Sequence, residues 1–299
     1  MKIAIILNGV SRKKKKFLQG IFPRLEAEFS PVIFETQRSG HAEELAAQAV
    51  IEKFDVILAA GGDGTLHQVI NGVLKNEKQT LPIIGLIPLG SGNDFAKMCF
   101  LRADSSHIIQ LLKTGKPRPV DVGLITCRNR AGENITRYFI NACSAGLGPE
   151  VVRQMEKNSR RWGANLTYLK SIISAFFLHR PQEINCRTSG WEWKGSARIV
   201  AIANARSFGN SLYIAPRASV DDGEFNSFIA GEVPLLRFLV YLQVIKWRRK
   251  ISYHRIHYNT LHEIELTSPL PAALEGDGEL EGFLPARIKV LPGRINFLR

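Results

Sequence analysis

Residues 54–75 hold the first stretch able to do chemistry: the apolar run FDVILAA, the turn GGDGT, then LHQVINGVLK with helical periodicity. A strand that enters a glycine turn and leaves as a helix presents backbone N–H groups and a helix N-terminus to a phosphate. Asp63 stands in the middle of that turn. A carboxylate there repels a bare phosphate, so its expected partner is a divalent cation or a bridging water. Thr65 can cap the helix and offer a hydroxyl. Any strand-to-helix turn can hold glycines, but two adjacent glycines, an acid, a third glycine and a hydroxyl favour a phosphate site.

A second turn, Pro88-Leu-Gly-Ser-Gly-Asn-Asp94, follows another apolar run and opens a short helix over Phe95–Phe100. Ser91 and Gly92 suit phosphate or ribose, and Asp94 suits a Mg²⁺–water network; Asn93 or Asp94 could equally cap the helix. The first apolar run ends in Asn8-Gly-Val-Ser-Arg12, where Asn8 and Ser11 could bind nucleotide. Lys13–Lys16 could neutralise phosphates or simply solvate a helix start.

Two acidic loops come late. Ser219-Val-Asp-Asp-Gly-Glu224 carries oxygen donors of the kind a hard cation takes, although Asp-Asp-Gly alone already favours a β-turn. Leu274-Glu-Gly-Asp-Gly-Glu279 places three carboxylates within five residues. One of them could serve as general base if the loop faces the glycine turns; otherwise it is a hairpin tip. Arg160-Arg161-Trp162 and Lys246-Trp247-Arg248-Arg249-Lys250 combine an interfacial aromatic with cations. No Walker P-loop and no G-x-G-x-x-G pattern occurs, which argues against a Walker-type ATPase and a Rossmann dehydrogenase.

The elements that must position these groups change halfway. Strands are expected at Lys2–Leu7, Val32–Thr36, Asp55–Ala60 and Ile83–Pro88, with helices between them and one near Ser106–Thr114. That alternation predicts a parallel sheet with flanking helices, whose ligands sit beyond the carboxyl ends of its strands. After a boundary near Lys116–Pro119 the pattern becomes mainly antiparallel β. Strands are expected at Val120–Cys127, Ile135–Cys143, Glu183–Thr188, Ala197–Ala203, Phe225–Ala230, Ile251–Asn259 and Glu263–Thr267. Helical inserts fall over 149–179 and 234–250.

The 299 residues carry a net charge of +13, which favours an anionic partner. No nucleic-acid motif accompanies that charge, so nucleic acid is not expected. The four cysteines form no CxxC pair, which suits a reducing compartment. No secretory signal and no run of about 20 apolar residues is present, so a cytoplasmic, at most peripherally membrane-associated protein is expected. A homodimer is allowed for.

Taken together, these blocks resemble the diacylglycerol kinase catalytic-domain family in its bacterial lipid-kinase branch, related to the sphingosine and ceramide kinases. GGDGTLHQVINGV, PLGSGNDFAK, the FGN…AP…DDG stretch after Phe208 and the late Asp277-Gly-Glu279 occur in the family's order and span nearly the whole chain. The resemblance implies an ATP-binding α/β domain over 1–118, rejoined by a last strand at about 293–299, and a β-rich lipid-substrate domain over 119–292. It implies ATP contacts from Asn8, Thr36, Gly61, Gly62, Asp63, Gly64, Thr65, Leu66, His67 and Ser91. It implies Asp63 and Asp94 at the phosphates and their Mg²⁺, and Glu279 as catalytic base. A structural Mg²⁺ is implied on Asp222 with the carbonyls of Ser219 and Glu224. The implied reaction is transfer of the ATP γ-phosphoryl group to a lipid hydroxyl at a membrane surface. The competing expectations are an NAD kinase-like enzyme acting on a soluble substrate and a non-catalytic nucleotide or lipid sensor. The first block departs from the family's usual N-P-x-S-G, and Gln68 replaces a usual Glu.

Overall fold

A computed structural model describes residues 1–75, 80–157 and 164–299. The chain divides into two compact units, Met1–Asp121 with Gly293–Arg299, and Val122–Pro292.

In the first unit, strands β1 (Ile3–Leu7), β2 (Val32–Glu35), β3 (Val56–Gly61) and β4 (Ile83–Pro88) lie in the order β2-β1-β3-β4. Every pairing is parallel. The end of the chain's last strand adds beside β4, with Phe297 opposite Ile84. β1 and β3 are buried along their whole length, as strands covered on both faces must be, and they read as unbroken apolar runs for that reason. β2 is a sheet edge and is partly open. The helices are α1 (Lys14–Lys16), a π-helical turn at Phe17–Ile21, α2 (Phe22–Phe29), α3 (His41–Ile51), α4 (Asp63–Leu74), α5 (Asp94–Met98) and α6 (Ser105–Thr114). Phe17, Ile21 and Leu25 carry the first helical segment onto the core of Ile3, Ile5, Leu7 and Leu58.

The second unit contains β5 (Arg118–Arg128), β6 (Asn134–Phe139), β7 (Ala142–Gly146), α7 (Leu147–Lys157), α8 (Ala164–Leu178), β8 (Gln182–Arg187), β9 (Glu192–Ala203), β10 (Phe225–Gly231), α9 (Leu235–Lys246), β11 (Ile256–Leu261), β12 (Glu263–Thr267), β13 (Ala273–Gly276) and β14 (Glu279–Phe297). β5 starts in the first unit and β14 ends there. Followed in turn, β9, β7, β13, β14, β12 and β8 lead back to β9 through antiparallel pairings, a closed ring without free edges. One apolar core is built from Ile125, Phe139, Phe225, Leu274 and Ile288. A second core seats α7, α8 and α9 through Val151, Ile172 and Leu242 against Ala201 and Phe228 of β9 and β10.

Two expectations change here. The strand expected over Ile135–Cys143 is two strands, because the N–H groups of Ile140, Asn141 and Ala142 turn to the Asp277 side chain instead of a ladder. β11 begins only at Ile256; the N–H of Ile251 donates to the Tyr258 hydroxyl outside the sheet.

Candidate functional site

Strands β1, β3 and β4 end side by side at Leu7, Gly61 and Pro88, and the three loops that follow are tied together. The Leu89 and Gly90 N–H groups donate to the Gly61 carbonyl at 2.8 and 3.1 Å. Asn8 Nδ2 donates to Thr65 Oγ1 (3.1 Å), Ser11 Oγ to the Leu89 carbonyl (3.2 Å) and Lys13 Nζ to the Gly90 carbonyl (3.0 Å). The Gly9 N–H donates to Thr36 Oγ1 at 3.0 Å. Asn8, Ser11, Thr36, Thr65 and the glycines therefore meet on one rim, at the carboxyl edge of a parallel sheet.

Close approach explains the glycines. A Cβ on Gly90 would lie 2.4 Å from Gly62 Cα, and one on Gly61 would lie 2.2 Å from Thr65 Oγ1. The two loops touch backbone to backbone, and no side chain larger than hydrogen fits between them. Gly62 is also the cap of the 12-residue α4, and no side chain caps that N-terminus. Its leading amides and the positive end of its dipole suit an anion. Ser91 is exposed on the second loop.

Three expected contacts look different in the structure. Asp63 also holds protein: its Oδ2 and Oδ1 accept the N–H groups of Asp94 and Phe95 at 3.0 and 3.1 Å. It thereby caps α5 and clamps the second loop to the first. Leu66 and His67 are fully enclosed within α4. His67 is not a surface group; Asn71 Nδ2 donates to its carbonyl at 2.9 Å and lies 3.3 Å from its Nε2. The spacing i to i+4 buries these polar residues as a mutually satisfied pair, so neither Leu66 nor His67 presents a side chain to a ligand. Asp94 is buried, with Lys97 Nζ 3.7 Å from its Oδ1.

The second unit, taken by itself, contains the acid loop. β13 and β14 are joined by a turn with Asp277 and Gly278 in the left-handed region (φ 51° and 88°). The Asp277 carboxylate accepts the N–H groups of Ile140, Asn141 and Ala142 at 2.8, 2.8 and 3.1 Å, and its own N–H donates to the Ala142 carbonyl at 2.9 Å. Asp277 thus builds the turn, and Glu279 follows at the start of β14, partly exposed. Beneath it the buried Glu275 accepts from Ser144 Oγ at 2.5 Å and from the Gly278 N–H at 2.9 Å. Burial pushes the Glu275 carboxyl up to about 7, against the pull of those two donors. Arg137 Nε donates to buried Glu281 at 2.6 Å. Ser144 and Arg137 did not stand out in the sequence, whereas Glu275 did, as one of the three carboxylates of the 274–279 loop, but without its buried position.

The loop implied to hold Mg²⁺ is a turn around Gly223 (φ 74°), where Asp222 Oδ1 accepts the Glu224 N–H at 3.1 Å and Ser219 Oγ donates to Asp221. Asp222 is exposed, and one carboxylate with neighbouring carbonyls is chemically suited to a hydrated hard cation. Among the described residues, no cluster of three or more His, Cys, Asp or Glu side chains could hold a metal ion. Arg160, Arg161 and Trp162 lie outside the described residues.

With this geometry in place, the chain can be set beside known proteins. The diacylglycerol kinase catalytic domain model matches residues 2–125, and the YegS C-terminal NAD kinase beta sandwich-like domain model matches residues 141–299. The chain is 30% identical over 295 residues to a diacylglycerol kinase of Staphylococcus saprophyticus, covering 94% of this chain and 90% of that protein. It belongs to the diacylglycerol kinase catalytic-domain family, in the bacterial lipid-kinase branch. It is accordingly an enzyme, a lipid kinase. A YegS-like lipid kinase of Yersinia enterocolitica is 26% identical, over 87% of this chain and 84% of that one. A crystal structure of a diacylglycerol kinase from Bacillus anthracis shares the fold at TM-score 0.73 and 20% identity, covering 99% and 96% of the two chains. The yeast NADH kinase complexed with NADH is a more distant fold relative of this lipid kinase, at TM-score 0.52 and 11% identity, covering 99% and 82%. No helix among the described residues is long and apolar enough to cross a membrane.

Proposed function

We propose that this lipid kinase transfers the γ-phosphoryl group of ATP to the hydroxyl of a diacylglycerol, sphingoid or similar lipid, reached by peripheral contact with a membrane from the cytoplasm. The observation that carries the reading is the rim where Gly61, Gly62 and Gly90 pack backbone to backbone under the uncapped N-terminus of α4. Such a cradle binds phosphates through amides, and the family membership makes the phosphates those of a nucleotide. Asn8, Thr36, Thr65 and Ser91 contribute polar groups at the same edge. Asp63 acts indirectly, by fixing the second loop.

Glu279 accepts the proton of the attacking hydroxyl. Asp277 and Glu275 set the turn that presents it. Asp94 would order water around a Mg²⁺ carried with the nucleotide, which would supply charge neutralisation at the phosphates. A second Mg²⁺ bound by Asp222 with the carbonyls of Ser219 and Glu224 would stiffen the turn at Gly223.

The test is transfer of label from γ-³²P-ATP across a panel of diacylglycerol, sphingosine, ceramide and phosphatidylglycerol in mixed micelles, with products identified by mass. One phosphorylated lipid, formed only with Mg²⁺, is the expected result. Phosphorylation of NAD in the absence of any lipid would replace the lipid with a soluble acceptor. No ATP consumption with any acceptor would leave a sensor.

A further inference from the structure

Seven of the thirteen large apolar side chains that stand exposed among the described residues lie on α8, on α9 or at the residue that ends α9. On α8, Leu166, Leu169 and Phe177 are 60%, 36% and 66% exposed. On α9 and its end, Leu236, Val240 and Trp247 are 78%, 60% and 70% exposed. At 100° per residue each set falls on one helical stripe, and each stripe runs about 16 Å from its first to its last residue. The opposite faces of both helices are the buried ones. Ile172 and Ala175 of α8 share a core with Leu242 and Ile245 of α9, and the Phe176 and Phe238 rings stack 4.6 Å apart. Phe176 therefore points in and its neighbour Phe177 points out. Two packed helices each bury one apolar face and leave another uncovered.

The charge carried by the two helical segments themselves is of one sign, although exposed Glu232 lies beside Phe177 and Arg180. Residues 164–181 and 233–252 contain seven Lys and Arg and no Asp or Glu. Arg237, Arg248 and Lys250 lie over the rings of Tyr253, Tyr213 and Tyr258 at 5.2, 4.6 and 5.0 Å, which makes a fringe of cations on aromatic rings beside the apolar stripes.

We propose that the outer faces of α8 and α9 are the surface by which this protein docks on an anionic lipid bilayer, with Leu236, Val240, Trp247 and Phe177 entering the headgroup boundary and the basic fringe meeting lipid phosphates. Helices with an apolar stripe, a cationic border and an interfacial tryptophan lie in the plane of a membrane surface. Charge decides against the other occupants. In an isologous dimer this surface would face its own copy, cation against cation. On nucleic acid the exposed leucines and phenylalanine would face phosphates. The inference rests on the membrane contact of the proposed function and deepens it by naming the surface, and vesicle binding is read separately from phosphate transfer.

The test is co-sedimentation of the full chain with vesicles of phosphatidylcholine alone or with 30% phosphatidylglycerol, in about 50 and 500 mM salt. Binding is expected to the anionic vesicles only, and to weaken at high salt. Leu236→Ser with Trp247→Ser, and separately Lys246→Glu with Arg249→Glu, should each lower vesicle affinity at least tenfold. All four positions are exposed, so circular dichroism should show unchanged melting. Turnover of a short-chain, water-soluble lipid should also stay unchanged in both variants. Loss of turnover with vesicle binding intact would count against the kinase reading alone. Wild-type binding equal on both vesicle types, or undiminished in both variants, overturns the docking surface. So does a dimer in sedimentation equilibrium that either variant converts to monomer, or an RNA that competes the vesicles away.

Discussion

Ser144 Oγ donates to Glu275 Oε1 across 2.5 Å, in a place where both side chains are almost completely buried. Ser144 stands on β7 and Glu275 on β13, opposite each other in the antiparallel register. The same carboxyl, through Oε2, takes the Gly278 N–H, so one buried acid ties the strand to the turn that precedes Glu279. Asp277 and Glu281, on the same hairpin, both raise the proton affinity of Glu275, adding to its burial.

This acid should make stability fall as pH rises. Its ordinary value is 4.5 and its folded value is about 7. Below pH 4.5 the carboxyl is protonated in both states. Between 4.5 and 7 the unfolded chain releases the proton while the folded chain keeps it, so folding loses ground as pH increases, and the loss is complete above 7. The total is on the order of 3 kcal/mol for a fully buried group. Glu275→Gln keeps acceptor and shape without the titration. Urea unfolding from pH 4.5 to 8 should show the wild-type slope flattened in the variant; parallel slopes would remove Glu275 as the source.

Glu279→Gln should separate chemistry from architecture. Glu279 sits after the Asp277 turn, and the three N–H contacts that hold the turn belong to Asp277. The amide cannot accept the hydroxyl proton, so turnover should drop ~10²–10⁴-fold. Melting temperature and ATP affinity by calorimetry should match wild type. Full activity in the variant would take Glu279 out of the mechanism.

Asp63→Asn should loosen the rim without removing a phosphate contact. Both carboxylate oxygens are acceptors, for the Asp94 and Phe95 N–H groups. An amide turns one of them into a donor facing a donor, which costs about 1–3 kcal/mol for the unmet N–H. Reduced stability together with an ATP affinity weakened at least tenfold is the expected pair. Normal stability with lost activity would instead make Asp63 a direct ligand of the nucleotide or its cation.

Much of this was legible in the residues, for identifiable reasons. β1, β3 and β4 could be placed because strands buried on both faces must be continuously apolar, and the rim follows from where such strands end. The glycine turns were readable because a Cβ added at Gly90 or Gly62 would come within 2.4 or 3.1 Å of the other loop's backbone, which leaves little room for another residue type. The burial of His67 was not legible because its partner, Asn71, is brought to it only once a helix puts residues four apart on one face. The loop-clamping role of Asp63 was not legible because the N–H groups it serves lie 31 and 32 positions away. The gap between β6 and β7 was hidden for the same reason, since Asp277 lies more than 130 residues from the amides it captures. Long-range satisfaction of backbone donors leaves no local pattern.

Gly90→Ala tests the backbone contact on which the nucleotide reading rests. The added methyl would meet Gly62 Cα at 2.4 Å and Asn93 Oδ1 at 2.6 Å, so the two loops must part. The displaced backbone carries the amides at the N-terminus of α4, and ATP affinity should fall at least tenfold. Gly20→Ala is the matched control, because its methyl meets nothing within 4 Å. Alanine is also the better helix former there, so that variant should be as stable as wild type or slightly more so. Calorimetric titration with ATP and thermal melting of both variants distinguish the cases. Equal ATP affinity in the Gly90 and Gly20 variants would mean that the rim tolerates the separation and that phosphate binding does not depend on this glycine pair.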